Sequence, residues 1–406
     1  MFDDRISLDG SSGFDILDKK ENPRSRKDMS AETIVIGGGV IGCSIAYELA
    51  ARGQEVMLLE RARMGGGTSS AAAGMLAADS EHFHHAAMAE LARRSRERVH
   101  RQREHIQAMS GIDIGLRQAG FITPFRSGQK AGLYAAAYET DSNACTYWDR
   151  QELQRQAPWL SRDTYGGLYR QAESEVLPLN LVTAYAKSAQ AYGARIMEGI
   201  QNVTLQTGAG RIQGVQTSIG MLTCKNVIVA AGLQGVELME SVGLNMPVVP
   251  VKGEMVAVRF SHHDAARGNV PDRTVYAEDV YIVPKANGEV WLGATSLAGA
   301  SDLHVTPGGI QKLISAAAAW VPAVAHARFE RAWAGVRPST PDGLPYLGES
   351  EQYSGLYAAF GHYRNGILLS AITGSVLADL IEGKSAGELG IAAFNPERLS
   401  GKGMMH

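Results

Sequence analysis

Cysteine is scarce in this chain. Only Cys43, Cys145 and Cys224 occur in 406 residues, too far apart to form a metal-binding or dithiol motif. That rules out a disulfide-built scaffold and makes a reduced, cytoplasmic compartment the expectation. An excess of one charge is lacking too. Against 42 Asp and Glu stand 39 Lys and Arg, a formal net charge of −3, so no broad basic surface points to nucleic acid. No apolar run approaches the length that spans a bilayer, and no internal repeat or low-complexity tract occurs beyond small Ala and Gly clusters. Residues 1–30 mix Asp, Lys, Arg and Ser without the apolar centre of a signal peptide. A disordered extension is expected there, with Met29 as a candidate natural start. What remains is 45% hydrophobic and 20% charged, long enough for a large core in two domains.

One segment stands out from that background. Residues 33–36 form an apolar run too short for a helix, and Gly37, Gly39 and Gly42 follow with the G-x-G-x-x-G spacing. A helical pattern with Ile41, Ile45 and Leu49 on one face comes next, then a second apolar run, 56–59, ending at Glu60. Strand, tight turn, helix, strand and acid together form the arrangement that holds the ADP half of a dinucleotide. Gly37 permits the turn. Gly39 lets backbone approach a pyrophosphate at the helix N-terminus, and Gly42 lets helix and strand pack closely. Glu60 can accept hydrogen bonds from the adenosine ribose, and it repels the 2′-phosphate of NADP.

Further along, periodicity and breakers predict helices at 86–109, 178–192 and 365–380, and a short helix with loop within 148–160. Strands are predicted at 118–124, 195–197, 203–205, 226–232 and 356–360, and those of a second sheet at 248–260, 280–284 and 289–294. Residues 333–348, with three prolines, read as a loop-rich segment. The run Glu81-His82-Phe83-His84-His85 reads as a solvated helix start, because adjacent histidines cannot all converge on one ion; no metal site is expected. The dinucleotide pieces thus come from the beginning, middle and end of the chain. Such interleaving is unlike a simple nicotinamide dehydrogenase and suits a flavin held by one domain and capped by another. The predicted fold class is α/β, α+β overall. A Rossmann-like flavin-binding domain is expected from residues 31–109, 179–245 and 331–395. A substrate domain with a largely antiparallel sheet is expected from 110–178 and 246–330, with 396–406 as a tail.

Four blocks carry a family resemblance: the dinucleotide segment; residues 64–76, Met-Gly-Gly-Gly-Thr-Ser-Ser-Ala-Ala-Ala-Gly-Met-Leu; residues 281–284, Tyr-Ile-Val-Pro; and residues 333–345 together with 361–367, Gly-His-Tyr-Arg-Asn-Gly-Ile. Over about 32–380 the chain resembles the D-amino-acid-oxidase-like flavoproteins, and among them the glycine oxidases of the thiamin pathway. The resemblance implies noncovalent FAD, since no cysteine lies near Gly335, where flavin-tethering relatives carry their thiol. It implies oxidation of glycine, sarcosine and small D-amino acids to the imine and 2-oxo acid. A hydride would pass from the α-carbon to flavin N5, dioxygen would be reduced to hydrogen peroxide, and the glycine imine would feed thiamin biosynthesis. It suggests a homo-oligomer, with a tetramer as the candidate state.

The same resemblance implies site residues. Arg337 would bind the substrate carboxylate, because a guanidinium offers two parallel donors to two oxygens; an ion-paired structural arginine is the alternative. Tyr281 would join it, unless it is an aromatic strand residue facing the core. Arg364 would lie near both substrate and flavin. For the cofactor, Gly37, Gly39, Val40, Ile41, Gly42, Glu60 and Arg61 form the nucleotide end, and Val203 would place its backbone against adenine. Thr68, Ser69, Ala73 and Gly74 suit the pyrophosphate or the polar edge of the flavin, and Gly232 follows a strand end. Met75 either packs beside the flavin ring or fills core. His362, Tyr363, Arg364, Asn365, Gly366, Ile367 and Leu368 form a strand-to-helix turn whose amides can stabilise negative charge on the reduced flavin. No acid–base residue is required, because a neutral amine's lone pair assists hydride departure. Asp279 stands where the resembling enzymes carry a His; it either favours substrates with a positive group at the pocket mouth or faces solvent. Three other functions stay open: a D-amino-acid or sarcosine-type dehydrogenase with a non-oxygen acceptor, an NAD-dependent dehydrogenase, and a nucleotide-binding scaffold.

Overall fold

The computed structural model describes residues 29–127 and 145–399. Expectations for residues 1–28 and 400–406 lie outside the described residues.

The strands Thr33–Ile36 and Val56–Leu59 run parallel, Thr33 opposite Val56 and Ile36 opposite Leu59, and every residue of both is buried. Burial on both faces is why they read as continuous apolar runs and not as alternation. Asn226–Val229 pairs with the other side of Thr33–Ile36, and Leu356–Phe360 follows it, both parallel. Arg195–Met197 closes one edge in parallel and Tyr346–Glu349 the other in antiparallel, giving a six-stranded sheet among the described residues. Helices Val40–Ala51, Ala86–Ser110, Pro178–Ala191 and Gly366–Ile381 share one core on one face. The other face is covered by Thr204–Gly208, Arg211–Thr217 and Gly220–Thr223, a small antiparallel sheet with its own apolar core. Val40–Ala51 sits between sheet and helices, and only Ala51 escapes burial, so its apolar residues run round the whole helix.

The second sheet has nine strands among the described residues. Its spine is Val249–Arg259, with Val290–Gly293 on one side and Arg328–Ser339 on the other. Tyr281–Pro284, Thr274–Tyr276, Phe121–Phe125, Gly166–Arg170 and Thr146–Asp149 extend it in that order. All pairings are antiparallel except Thr274–Tyr276 with Phe121–Phe125. Helix Pro307–Trp320 packs on this sheet through Leu313, Ala317 and Trp320. Its start is set by Pro307 and by Thr306, whose Oγ1 accepts from the Gly309 N–H at 3.0 Å.

Three expectations need correction. Residues 333–348 are loop only at 340–345, because Arg328–Ser339 is a strand paired along the length of Val249–Arg259 and Tyr346–Glu349 is a strand of the first sheet. Pro338 faces Pro250 in that register, so the two missing N–H donors fall together at one position. The whole strand belongs to the second sheet, so a domain boundary at 331 cuts through it. Residues 396–399 are not free tail: Arg398 Nε donates to Asp342 at 2.8 Å, and Leu399 packs on the second core.

Candidate active site

The predicted turn is built as its spacing requires. Gly37 has φ +114°, and a Cβ there would lie 2.5 Å from the Ala230 carbonyl oxygen. A Cβ on Gly42 would clash with the Gly37 carbonyl oxygen. Gly39 differs, because a Cβ there would meet only Ser69 Oγ, at 3.3 Å, so its outer side is open. Glu60 accepts from the Gly38 N–H at 2.7 Å and from the Ala62 N–H at 2.8 Å, strapping the turn to the end of Val56–Leu59.

From this turn a cavity extends to the second sheet. It holds about 800 Å³ of space free of protein atoms, part of it open to solvent. One wall is the 68–77 segment. There the Ser69 hydroxyl accepts from the Val40 N–H at 3.0 Å, and the Thr68 hydroxyl donates to the Val336 carbonyl at 2.7 Å. The opposite wall is the paired strands Val249–Arg259 and Arg328–Ser339, where Gly253 faces Gly335 in register. Each glycine clears space for a different group. A Cβ on Gly335 would collide with Ala71, and one on Gly253 would sit 2.6 Å from the Arg337 Cζ. Arg337 therefore lies flat across Gly253, with Nη1 donating to the Thr295 carbonyl at 3.3 Å. Tyr281 completes this wall, its hydroxyl 3.2 Å from Met255 Sδ. Burial raises its pKa, with the charges of Arg337 and Arg364 opposing.

The third wall is the strand-to-helix turn. Tyr363 holds φ +49°, and its N–H donates to the Pro338 carbonyl at 2.9 Å. Arg364 follows, Nη2 lying 3.1 Å from Glu81 Oε1 and donating to the Tyr276 hydroxyl at 3.2 Å. Burial works against its charge, but Glu81, Tyr276 and Tyr281 outweigh it and hold its pKa above the usual arginine value. His362 lies beneath, its Nε2 3.2 Å from Thr373 Oγ1, and burial pushes its pKa down to about 3. It is thus neutral near pH 7 and takes no part as an acid.

Of the predicted residues, Val40, Thr68, Ser69, Ala73, Gly74, Met75, Tyr281, Arg337 and 363–367 line the cavity together. Gly37, Gly39, Ile41, Gly42 and Glu60 form the turn behind Val40, while Leu368 is buried in the helical core. Arg61 is exposed, and Val203 and Gly232 lie outside the lining. The Ile200 N–H donates to the Glu60 carbonyl at 3.0 Å, which brings the chain just before Val203 to the nucleotide end. Asp279 takes neither a cavity position nor a bare surface one, since it is exposed and accepts from Trp320 Nε1 at 2.9 Å. Sequence reasoning missed Glu81, Gly253 and Met255, and it gave Gly335 no contact. His85 caps the helix Ala86–Ser110, its Nδ1 accepting from the Ala87 N–H at 3.3 Å.

Two helices of more than ten residues, Val40–Ala51 and Gly366–Ile381, thus begin at one elongated cavity. The positive ends of these helices suit a ligand with a pyrophosphate at one end and an electron-rich ring at the other. Comparison with known proteins agrees. The profile of the family described as FAD dependent oxidoreductase (DAO) matches residues 32–380. The chain belongs to that family. Glycine oxidase of Geobacillus kaustophilus is 36% identical over 384 residues, which is 91% of this chain and 98% of that protein. The crystal structure of glycine oxidase from the same organism superposes with a TM-score of 0.84, covering 91% of this chain and 99% of that one. The bifunctional protein ThiO/ThiG of Nostoc is 34% identical over 359 residues, 87% of this chain but 53% of that longer protein. As a DAO-family flavoenzyme the chain uses FAD, and the open side of Gly39 and the two helix starts fit that cofactor.

Proposed function

We propose that this enzyme oxidises glycine, sarcosine and small D-amino acids to the imine, with dioxygen as acceptor, and that the glycine imine supplies thiamin biosynthesis. The relatives named glycine oxidase and ThiO/ThiG support the substrate and the pathway. The observation that carries the reading is Arg337, laid over Gly253 beside Tyr281 with one face toward the cavity.

The first turn of Val40–Ala51 with Gly39 would hold the FAD pyrophosphate, Glu60 the adenosine ribose and the Val203 backbone the adenine. Amides at 366–368 would meet the electron-rich edge of the ring, and Met75 would pack beside it. Bound FAD would supply a two-electron acceptor for the hydride of the substrate α-carbon, with dioxygen as the final oxidant and hydrogen peroxide as the product. The chain's own part is placement. Arg337 and Tyr281 fix the carboxylate, so the α-carbon has one orientation in the cavity. The amine reacts neutral and needs no base, and neutral His362 offers none.

The test is an anaerobic absorbance spectrum of the purified protein before and after glycine, then after air with a peroxide assay. Bleaching by glycine and recovery with peroxide is the expected result. A flavin that glycine, sarcosine and D-alanine all leave oxidised refutes the proposal. Bleaching without recovery in air assigns the electrons to another acceptor.

A further inference from the structure

Three charged side chains line the cavity among the described residues: Arg337, Arg364 and Glu81. They are not equivalent. Arg337 has a hydrogen bond to one backbone carbonyl, whereas Arg364 is joined to the Glu81 carboxylate and to the Tyr276 hydroxyl. The sum is one positive charge, and it belongs to Arg337.

Glu81 is also held in place. The preceding amides of Ala78, Asp79 and Ser80 all donate to the fully buried carboxylate of Glu173, at 2.7–3.0 Å. Arg96 is 2.6 Å from Asp79 and 3.1 Å from Glu173, tying the loop to helix Ala86–Ser110. The Glu81 N–H itself donates to the Ala77 carbonyl. A carboxylate on so fixed a loop meets Arg364 at little entropic cost.

We propose that Glu81 determines specificity by holding Arg364 as an internal ion pair, so that the site accepts substrates with one carboxylate and rejects those with two. This rests on the amino-acid reading of the Arg337 site. A second carboxylate finds no free cation, and it meets the charge of Glu81 in a partly desolvated space, where like charges repel strongly. Removing the Glu81 charge frees Arg364 to receive that second carboxylate.

The test uses FAD-loaded protein titrated with acetate and with malonate, neither of which is an amine, followed by perturbation of the flavin absorbance. Wild type is expected to bind malonate at least tenfold more weakly than acetate. In Glu81→Gln the malonate-to-acetate affinity ratio should rise at least tenfold, and adding Arg364→Met should erase that gain. Equal affinities in wild type overturn the proposal without any variant. So does an unchanged ratio in Glu81→Gln, or a gain that survives Arg364→Met. These ratios need no turnover, so failure of glycine to bleach the flavin refutes the proposed reaction separately from the charge pairing.

Discussion

Replacing Gly253 with alanine separates function from stability. The new Cβ would lie 2.6 Å from the Arg337 Cζ. Ordinary carbon contacts begin near 3.5 Å, so the guanidinium must move by about 1 Å. It is the far end of a flexible side chain, so that movement costs the fold little. Strand backbone gains roughly 0.5–1 kcal/mol when glycine becomes alanine, because the unfolded chain loses freedom. Stability is therefore expected to hold or rise slightly. Substrate binding should suffer. A guanidinium displaced by that distance loses at least one of two charge-assisted hydrogen bonds to a carboxylate, each worth about 1.5–3 kcal/mol. The expected result is a KM for glycine raised roughly ten- to hundredfold, with full flavin content. The assay pairs peroxide-coupled kinetics with urea unfolding and the flavin-to-protein absorbance ratio. Unchanged kinetics would show that Arg337 does not hold the carboxylate from this position. A loss of more than about 2 kcal/mol of stability would show that Gly253 is a structural glycine and that its neighbour is not the element that yields.

Arg337→Ala should keep its FAD while the KM for amino acids rises further than in Gly253→Ala; wild-type kinetics would dismiss the carboxylate clamp. Gly42→Ala places its Cβ against backbone that cannot move aside, so the protein should purify without flavin, and a full flavin spectrum would contradict the packing described. Glu289 gives a pH prediction. Burial works against its charge, but hydrogen bonds from Arg331, Trp291 and Asn287 outweigh it and pull its pKa down to about 2 from 4.5. A carboxyl lowered in the folded state stabilises fully above the unfolded value, and that contribution is lost as pH falls from 4.5 toward 2. Glu289→Gln should be less stable at pH 7 and flatter across that window, read from urea midpoints at pH 7, 5 and 3; parallel curves for the two proteins would disprove it.

The nucleotide end was legible because its constraints are local. Gly37, Gly42 and Glu60 act within one strand-turn-helix-strand unit, and contacts within such a unit leave a fixed spacing in the sequence. The substrate end is different in kind. Gly253 is required by the side chain of Arg337, across a strand pair more than eighty residues apart, so no local pattern marks it. Residues 333–339 read as loop-rich because Gly335 and Pro338 weaken any strand pattern; both are tolerated by what lies opposite, Gly253 and Pro250. Glu81 was read with the histidines after it as a helix start, and only the fold shows that it faces Arg364. For Asp279, the sequence weighed a pocket mouth against solvent and had no means of anticipating the Trp320 indole.

The order of strands has a consequence for how this enzyme comes into being. Thr33–Ile36 leaves the ribosome early, yet one of its two neighbours, Asn226–Val229, is made some 190 residues later, and the next, Leu356–Phe360, near the end. The cavity likewise draws its walls from residues 68–81, 253–281, 335–337 and 363–367. A chain ending before Leu356 leaves the Asn226–Val229 edge of the sheet open, and one ending before Ile367 leaves the cavity wall incomplete. The cavity is thus complete only when residues from all four stretches are present.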